Sequence, residues 1–332
     1  LWSPTPGAPK LGFTVFAYAL AGGALVYEAS RASAERRRRM SVLFAGAVAA
    51  AAALLFLEGI TGGALRDLVP PTDQSPERVK DMIALARGVT FIAPLAFPAA
   101  AIILTLTGSR LLAAAPIVLA LLAATQYSVA ANVIAMLFGI GAAAAALVRP
   151  RPAIIAIGAL FIFSFLAAPL FILTPADAVT SGEVAVLEPS WAQRAHMWRE
   201  ASDRILSTCW LAGCGADYTR AWAEEGVMIS VPGSPIPIME APIHPHNVFL
   251  QVWLELGIVG IAAMLAALWF GLKRLSIVEP DRVAFAAIAA AAAASYISFM
   301  FEASLWQAWR LGVLALAAFG GALAYSARGK IS

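Results

Sequence analysis

The sequence predicts an all-α, polytopic integral membrane protein, and three observations support that fold class. Hydrophobic residues make up 61% of the 332 residues and charged residues only 13%, whereas soluble domains are about half apolar and about a quarter charged. The mean hydropathy is +0.80, and apolar runs of about 20 residues, long enough to cross a bilayer, recur along the chain. Lysine and arginine concentrate in the short loops between alternate runs, as expected for cytoplasmic loops.

The apolar runs predict about nine transmembrane helices and one long loop. Helices 1–6 are expected within residues 1–174, the loop within 175–245 and helices 7–9 within 246–332. The densest basic run, Arg36 to Arg39, follows the first apolar span and anchors that loop inside, so the long loop lies on the outer side. The predicted spans are 11–27, 41–57, 88–106, 111–124, 128–148, 153–174, 248–272, 283–301 and 311–325.

The long loop is predicted to contain an amphipathic helix at residues 190–211. Pro189 and Ser190 form a helix start signal. Arg194 and Trp198 are four residues apart and therefore share one face, while Ile205 and Trp210 mark an apolar side. Such a helix suits the membrane surface, where it would either stabilise the interface or present a guanidinium group to a lipid-linked phosphate.

Two cysteines, Cys209 and Cys214, lie in the same loop. They form either a disulfide in an oxidising compartment or a pair of small unlinked residues. Together with His244 and His246 they offer metal-binding atoms, but their spacing matches no common zinc pattern. No metal site is predicted.

The next apolar run begins with a histidine at the membrane interface. Pro245 suits the start of a helix, so His246 and Asn247 are expected at the mouth of the seventh span. There a titratable ring meets both water and lipid headgroups. His246 is either an interfacial polar residue that closes the loop or a group that handles protons.

Several arginines on the outer side are not explained by membrane topology. Such a cluster suggests the binding of an anion. Arg87 adjoins an apolar span, and it either extends toward the headgroups or faces an interior cavity. The other outward arginines are Arg194, Arg199, Arg204, Arg220 and Arg310.

The chain has no glycine-rich phosphate loop, no dinucleotide-binding fingerprint and no Asp-x-Asp motif. Its net charge of +3 is divided among membrane-flanking loops, which does not indicate a nucleic-acid partner. The remaining chemistry is a site of arginines and a histidine without metal or cofactor. Arginine forks bind phosphate oxygens, and a histidine accepts a proton. That combination suits attack by a sugar hydroxyl on a sugar-diphosphate-lipid.

These residues resemble a known family, the bacterial O-antigen ligases with their relatives the O-antigen polymerases and O-linked oligosaccharyltransferases. The resemblance covers residues 87–260 with recognisable landmarks. They are Arg87 before a span, Arg194-x-x-x-Trp198, the turn Gly213-Cys214-Gly215 followed by Tyr218, and His246-Asn247 separated by nine residues from Gly257-Ile-Val-Gly260.

The resemblance implies a glycosyltransferase of the bacterial inner membrane whose active site faces the periplasm. We predict that the transfer is metal-independent and inverting. The donor would be a glycan on undecaprenyl diphosphate, and in the ligase branch the acceptor would be the lipid A core oligosaccharide. His246 would be the catalytic histidine, with Arg87 and Arg194 holding the diphosphate. The residues expected to contact substrate are Trp198, Arg199, Arg204 and Asn247.

Two further expectations come with this resemblance. Gly257 and Gly260 have the small-residue spacing that allows close packing of membrane helices. Members usually have about a dozen spans, so nine spans suggest a member that lacks three N-terminal helices.

Three alternative functions remain. A polymerase of the same superfamily would join repeat units of O-antigen or exopolysaccharide. A polysaccharide or lipid transporter would need charged or helix-breaking residues at mid-span and repeat symmetry. The spans are nearly free of midplane charge and no repeat is evident. A membrane scaffold would not need the outward arginines.

Overall fold

The computed structural model describes residues 3–4, 7–68, 78–127, 129–180, 189–230, 237–302 and 304–326. These residues are mostly helical. The helices are α1 (Ala8–Arg31), α2 (Ala34–Ile60), α3 (Arg78–Thr107), α4 (Arg110–Gln126), α5 (Ala130–Val148), α6 (Pro150–Thr180), α7 (Pro189–Arg204), α8 (Tyr218–Glu224), α9 (Val248–Ile277), α10 (Arg282–Phe301) and α11 (Ala308–Ser326). Two short strands, β1 (Met228–Ile229) and β2 (Ile238–Met239), pair in antiparallel orientation.

Eight of the described helices are long and apolar enough to cross a membrane, and the chain is therefore an all-α, multi-pass membrane protein. These eight are α1, α2, α3, α5, α6, α9, α10 and α11. The fourth predicted span, 111–124, forms α4, which has 17 residues and is about 25 Å long, somewhat less than a hydrocarbon core of about 30 Å. Eight of the nine predicted spans thus reach full length. Residues 181–188 and 231–236 of the long loop lie outside the described residues.

The chain divides into two compact units. The first unit comprises Leu1–Ala17, Gly158–Ile277 and Phe299–Ala308, and the second comprises Tyr18–Ile157, Val278–Ser298 and Trp309–Ser332. The first unit therefore contains the long loop and α9. The second contains α2 to α5, α11 and most of α1 and α10.

Small residues and a polar contact hold the helices of the second unit together. A Cβ atom added to Gly139 on α5 would lie 2.5 Å from the Phe97 ring on α3, so the missing side chain permits this close approach. Asn132 bridges the same two helices, because it accepts a hydrogen bond from Thr90 Oγ1 at 2.8 Å and donates one to Ala86 O at 3.0 Å. Such bonds satisfy polar groups that lipid could not solvate.

In the first unit, aromatic side chains attach α9 to α6. The Phe165 and Phe249 ring centroids are 4.8 Å apart, and Trp253 Nε1 donates a hydrogen bond to Phe165 O at 2.6 Å. In the long loop, α7 covers most of the residues predicted as a helix and continues as a π-helical turn over Ile205–Cys209. Ile205 is fully buried as expected, but Trp210 is half-exposed, because the wider π turn moves it off the buried stripe.

Candidate active site

The transmembrane helix α9 is interrupted at Gly257, whose φ of 61° and ψ of −156° are not helical. Such an interruption releases backbone N–H and C=O groups, which within a membrane must be bonded by protein. Residues 209–215 of the long loop, here named the docking turn, provide these partners. Its hydrogen bonds to α9 are Cys214 N to Leu254 O at 2.7 Å, Gly215 N to Glu255 O at 3.2 Å and Ile258 N to Trp210 O at 2.9 Å.

The docking turn is closed by a disulfide between Cys209 and Cys214, whose Cα atoms are 5.1 Å apart. The docking turn lies so close to α9 that the two facing glycines, Gly213 and Gly257, have no room for side chains. A Cβ on Gly213 would clash with the backbone of Glu255, and one on Gly257 would lie 2.5 Å from Gly213 N. The prediction that Gly257 allows close packing of two helices is therefore wrong, because the docking turn occupies that surface and α9 breaks there.

Next to the break, the carboxylate of Glu255 is fully buried within α9. Each of its oxygens accepts two hydrogen bonds, and an ionised carboxylate is an acceptor with about four such positions. The four donors come from α9 itself, from the start of α8 and from the segment that follows α10. Oε1 accepts from Gln251 Nε2 at 3.0 Å and from Thr219 Oγ1 at 3.1 Å. Oε2 accepts from Asp217 N at 2.7 Å and from Trp306 Nε1.

His246 lies directly before α9 in a left-handed conformation, with φ at 54°. This conformation is unfavourable for a residue with a side chain and persists only where surrounding contacts impose it. Here the ring of His244 lies against the ring of His246, with centroids 4.2 Å apart. Trp198 Nε1 donates a hydrogen bond to Pro245 O at 2.7 Å. A residue of α7 thus fixes the segment that carries both histidines.

Asn247 forms the N-cap of α9. Its Oδ1 accepts a hydrogen bond from Leu250 N at 3.0 Å, and its Nδ2 lies 3.4 Å from Met300 Sδ. The residue is fully buried, so its amide has no surface open to a ligand. The cap stabilises the start of α9. Because Asn247 directly follows His246, its fixed position also restrains the His246 backbone.

Arg194 is half-buried on α7, one turn before Trp198. Its guanidinium carbon lies 4.9 Å from the centroid of the Trp191 ring. Burial lowers the pKa of Arg194, and the negative charge of Glu302 opposes that effect. A guanidinium that has lost part of its hydration gains more from an anionic partner than a fully solvated one would.

The remaining predicted arginines differ in their surroundings. Arg204 donates a hydrogen bond to the Tyr218 hydroxyl at 2.8 Å, and its guanidinium carbon lies 4.1 Å from the centroid of the Trp222 ring. Arg199 is half-buried on α7. Arg87 belongs to the second unit, where it is exposed on α3. Arg194, Trp198, Arg199 and Arg204 therefore all lie on α7, in the unit that contains His246.

The sequence profile of the O-antigen ligase family matches residues 95–265 of this chain. The chain belongs to the O-antigen ligase family. The matched region contains α7, the docking turn, His246 and Glu255 together. No solved structure matches the chain significantly.

This O-antigen ligase family member is also similar to curated proteins of Rickettsia species, each named "Putative polysaccharide ligase". It is 32% identical over 123 residues to one from Rickettsia conorii and 29% identical over 126 residues to one from Rickettsia typhi, covering 37% of this chain and 29% of each relative. A third, from Rickettsia bellii, is 28% identical over 130 residues, covering 39% of this chain and 31% of the relative. The match therefore spans less than a third of these relatives.

Sequence reasoning missed Glu255, because it treated the spans of this O-antigen ligase family member as nearly free of midplane charge. The signal was present, since one carboxylate inside an apolar run is itself a reason to suspect a functional or structural site. Among the described residues, no group of three or more histidines, cysteines or acids could hold a metal ion.

Proposed function

We propose that this member of the O-antigen ligase family transfers a glycan from undecaprenyl diphosphate to the lipid A core oligosaccharide on the periplasmic face of the bacterial inner membrane. The observation that carries the proposal is the connection between α7 and the histidine segment. Trp198 bonds to Pro245 O, so the helix that bears half-buried Arg194 also holds His246 in its left-handed conformation.

In the proposed reaction, His246 accepts the proton of an acceptor hydroxyl. The acceptor oxygen then forms a bond to the anomeric carbon of the donor sugar, and the bond from that carbon to the diphosphate oxygen breaks. The electron pair leaves with the diphosphate, whose charge Arg194 stabilises through its paired N–H donors. A single displacement of this kind inverts the anomeric configuration and requires no metal ion.

The other predicted residues take supporting parts in the proposal. Arg87 would contact the diphosphate, an assignment based on the family resemblance. Trp198 positions the His246 segment. Arg199 and Arg204 add positive charge on the α7 side, although Arg204 is also engaged by Tyr218 and Trp222.

The deciding experiment is reconstitution of the purified protein with an undecaprenyl-diphosphate-linked glycan and two acceptors, lipid A core oligosaccharide and a second lipid-linked repeat unit. Glycan on the lipid A core supports the proposed ligase. Growth of the glycan on its lipid carrier alone would identify a polymerase. Turnover in EDTA is expected to equal turnover without it, and a strict divalent requirement would contradict the proposed chemistry.

The disulfide provides a test of the periplasmic orientation. Disulfides persist in oxidising compartments, and Cys209 and Cys214 are the two cysteines of the chain. Protein from native membranes, denatured without reductant, is therefore expected to take up no maleimide, and to take up two after reduction. Cys214→Ser is the control, since its remaining thiol should react without reductant. Labelling of both wild-type cysteines without reductant would remove this support.

Arg194→Lys tests whether charge alone explains the role of Arg194. Lysine keeps the charge but lacks the forked donor geometry. Loss of a charge-assisted hydrogen bond costs about 1.5–3 kcal/mol, so kcat/KM is expected to fall about 10- to 100-fold, nearly as far as in Arg194→Ala. The matched control is Arg220→Lys, because Arg220 is exposed on α8 and paired with Asp217. Full activity of Arg194→Lys would reduce the role to a point charge.

A further inference from the structure

An apolar groove of about 520 Å³ lies between α2, α3 and α11 of the second unit, and all eleven of its lining residues are apolar. Residues of α2 at spacings of three or four form one wall, which places them on a single helix face. They are Met40, Leu43, Phe44, Ala47, Val48 and Ala51. At about 1.5 Å per residue this stripe is about 16 Å long, roughly half of a hydrocarbon core of about 30 Å. The groove therefore has the length of an acyl chain in one leaflet.

A run of four arginines lies at one end of this groove. Arg36 to Arg39 directly precede Met40, and Arg36, four residues before Met40, lies on the groove face of α2. Arg37 connects the two helices at this end, since it donates hydrogen bonds to Ser326 O at 3.0 Å and to Ala32 O at 2.8 Å. Ser326 is the last residue of α11. The α2 and α11 walls of the groove thus end beside the arginines.

These arginines can accept an anionic ligand. Arg36 pairs with Glu28 at 3.1 Å, and Arg39 pairs with Glu35, but all four side chains are substantially exposed. Exposed ion pairs contribute little to the free energy of folding. A lipid phosphate can therefore replace the two carboxylates with little loss of stability. Arg38 is exposed and has no ion-pair partner within the part of the chain that the structure describes.

We propose that the groove binds an anionic phospholipid, with its phosphate at Arg36 and Arg39 and one acyl chain along α2 from Met40 to Ala51. The apolar groove accommodates an acyl chain of any lipid, whereas the basic end selects for negative charge. Basic pockets between membrane helices favour anionic headgroups in this way. The site lies in the second unit and does not depend on the proposed transfer reaction.

The test is lipid retention by the detergent-purified protein, measured by native mass spectrometry after incubation with equal amounts of phosphatidylglycerol and phosphatidylcholine. The wild type is expected to retain one phosphatidylglycerol per chain, with a preference of about tenfold. Ala47→Trp should fill the groove and abolish retention of both lipids, because Ala47 is an exposed lining residue. Ala50→Trp is the matched control, since Ala50 is exposed on α2 outside the groove lining.

A double variant, Arg36→Gln with Arg39→Gln, separates charge from shape. It should retain the two lipids equally, because the groove remains open while the headgroup contacts are lost. Equal retention of both lipids by the wild type would overturn the proposed selectivity. Wild-type retention by Ala47→Trp would overturn the proposed location, whatever the lipid preference.

Discussion

Replacing His246 with alanine is expected to lower the rate of glycan transfer by at least about 100-fold, because general acid–base catalysis by a positioned side chain contributes about 10²–10⁴-fold. The protein should remain folded and membrane-inserted. His246 is only half-buried. The variant loses the ring contact with His244 but retains the Trp198 bond to Pro245 and the Asn247 cap. Initial rates in the reconstituted assay measure the loss, and size-exclusion chromatography with thermal unfolding reports the fold.

His244→Ala is the matched control for this experiment. His244 contacts the same ring at 4.2 Å between centroids but is not assigned a proton-transfer role, so its removal should cost less than about tenfold in rate. An equal loss in the two variants would assign the chemistry to the histidine pair. Transfer at the wild-type rate by His246→Ala would end the assignment of His246 as base.

Glu255→Gln is expected to destabilise the protein by about 3 kcal/mol or more, because hydrogen bonds to charged groups contribute about 1.5–3 kcal/mol each. Glutamine has nearly the same shape but replaces one oxygen with an NH₂ group. That group would face either Gln251 Nε2 and the Thr219 hydroxyl or the N–H groups of Asp217 and Trp306, so at least one N–H donor would lose its acceptor. The loss should appear as a fall in the thermal unfolding temperature in detergent micelles.

Glu224→Gln is the control for Glu255→Gln, since Glu224 is exposed at the end of α8 and its neutralisation should leave the unfolding temperature unchanged. Trp306→Phe should give an intermediate loss, because it removes one donor and keeps most of the ring. Unfolding of Glu255→Gln at the wild-type temperature would show that the site does not require an ionised acceptor. Glycan transfer should fall in parallel, because Glu255 lies in the helix that begins after His246 and links it to Asp217, Thr219 and Trp306.

Much of the architecture was predictable because it depends on local composition. A helix must be about 20 apolar residues long to cross a bilayer, so α2, α9 and α10 could be located from hydropathy alone. The amphipathic helix α7 followed from its start signal and from the spacing of Arg194 and Trp198. Its end was placed too late, because the π-helical turn at Ile205–Cys209 has no clear signature in the sequence.

The sequence by itself determined the membrane class, the long loop and, through the His246 motif, the family. Only the tertiary structure decided that α9 breaks at Gly257, that the disulfide-closed docking turn fills the break and that Glu255 accepts four donors. The physical reason is that hydropathy and helical spacing act between near neighbours. The partners of Glu255 extend from Asp217 to Trp306, and their meeting depends on how the folded segments pack.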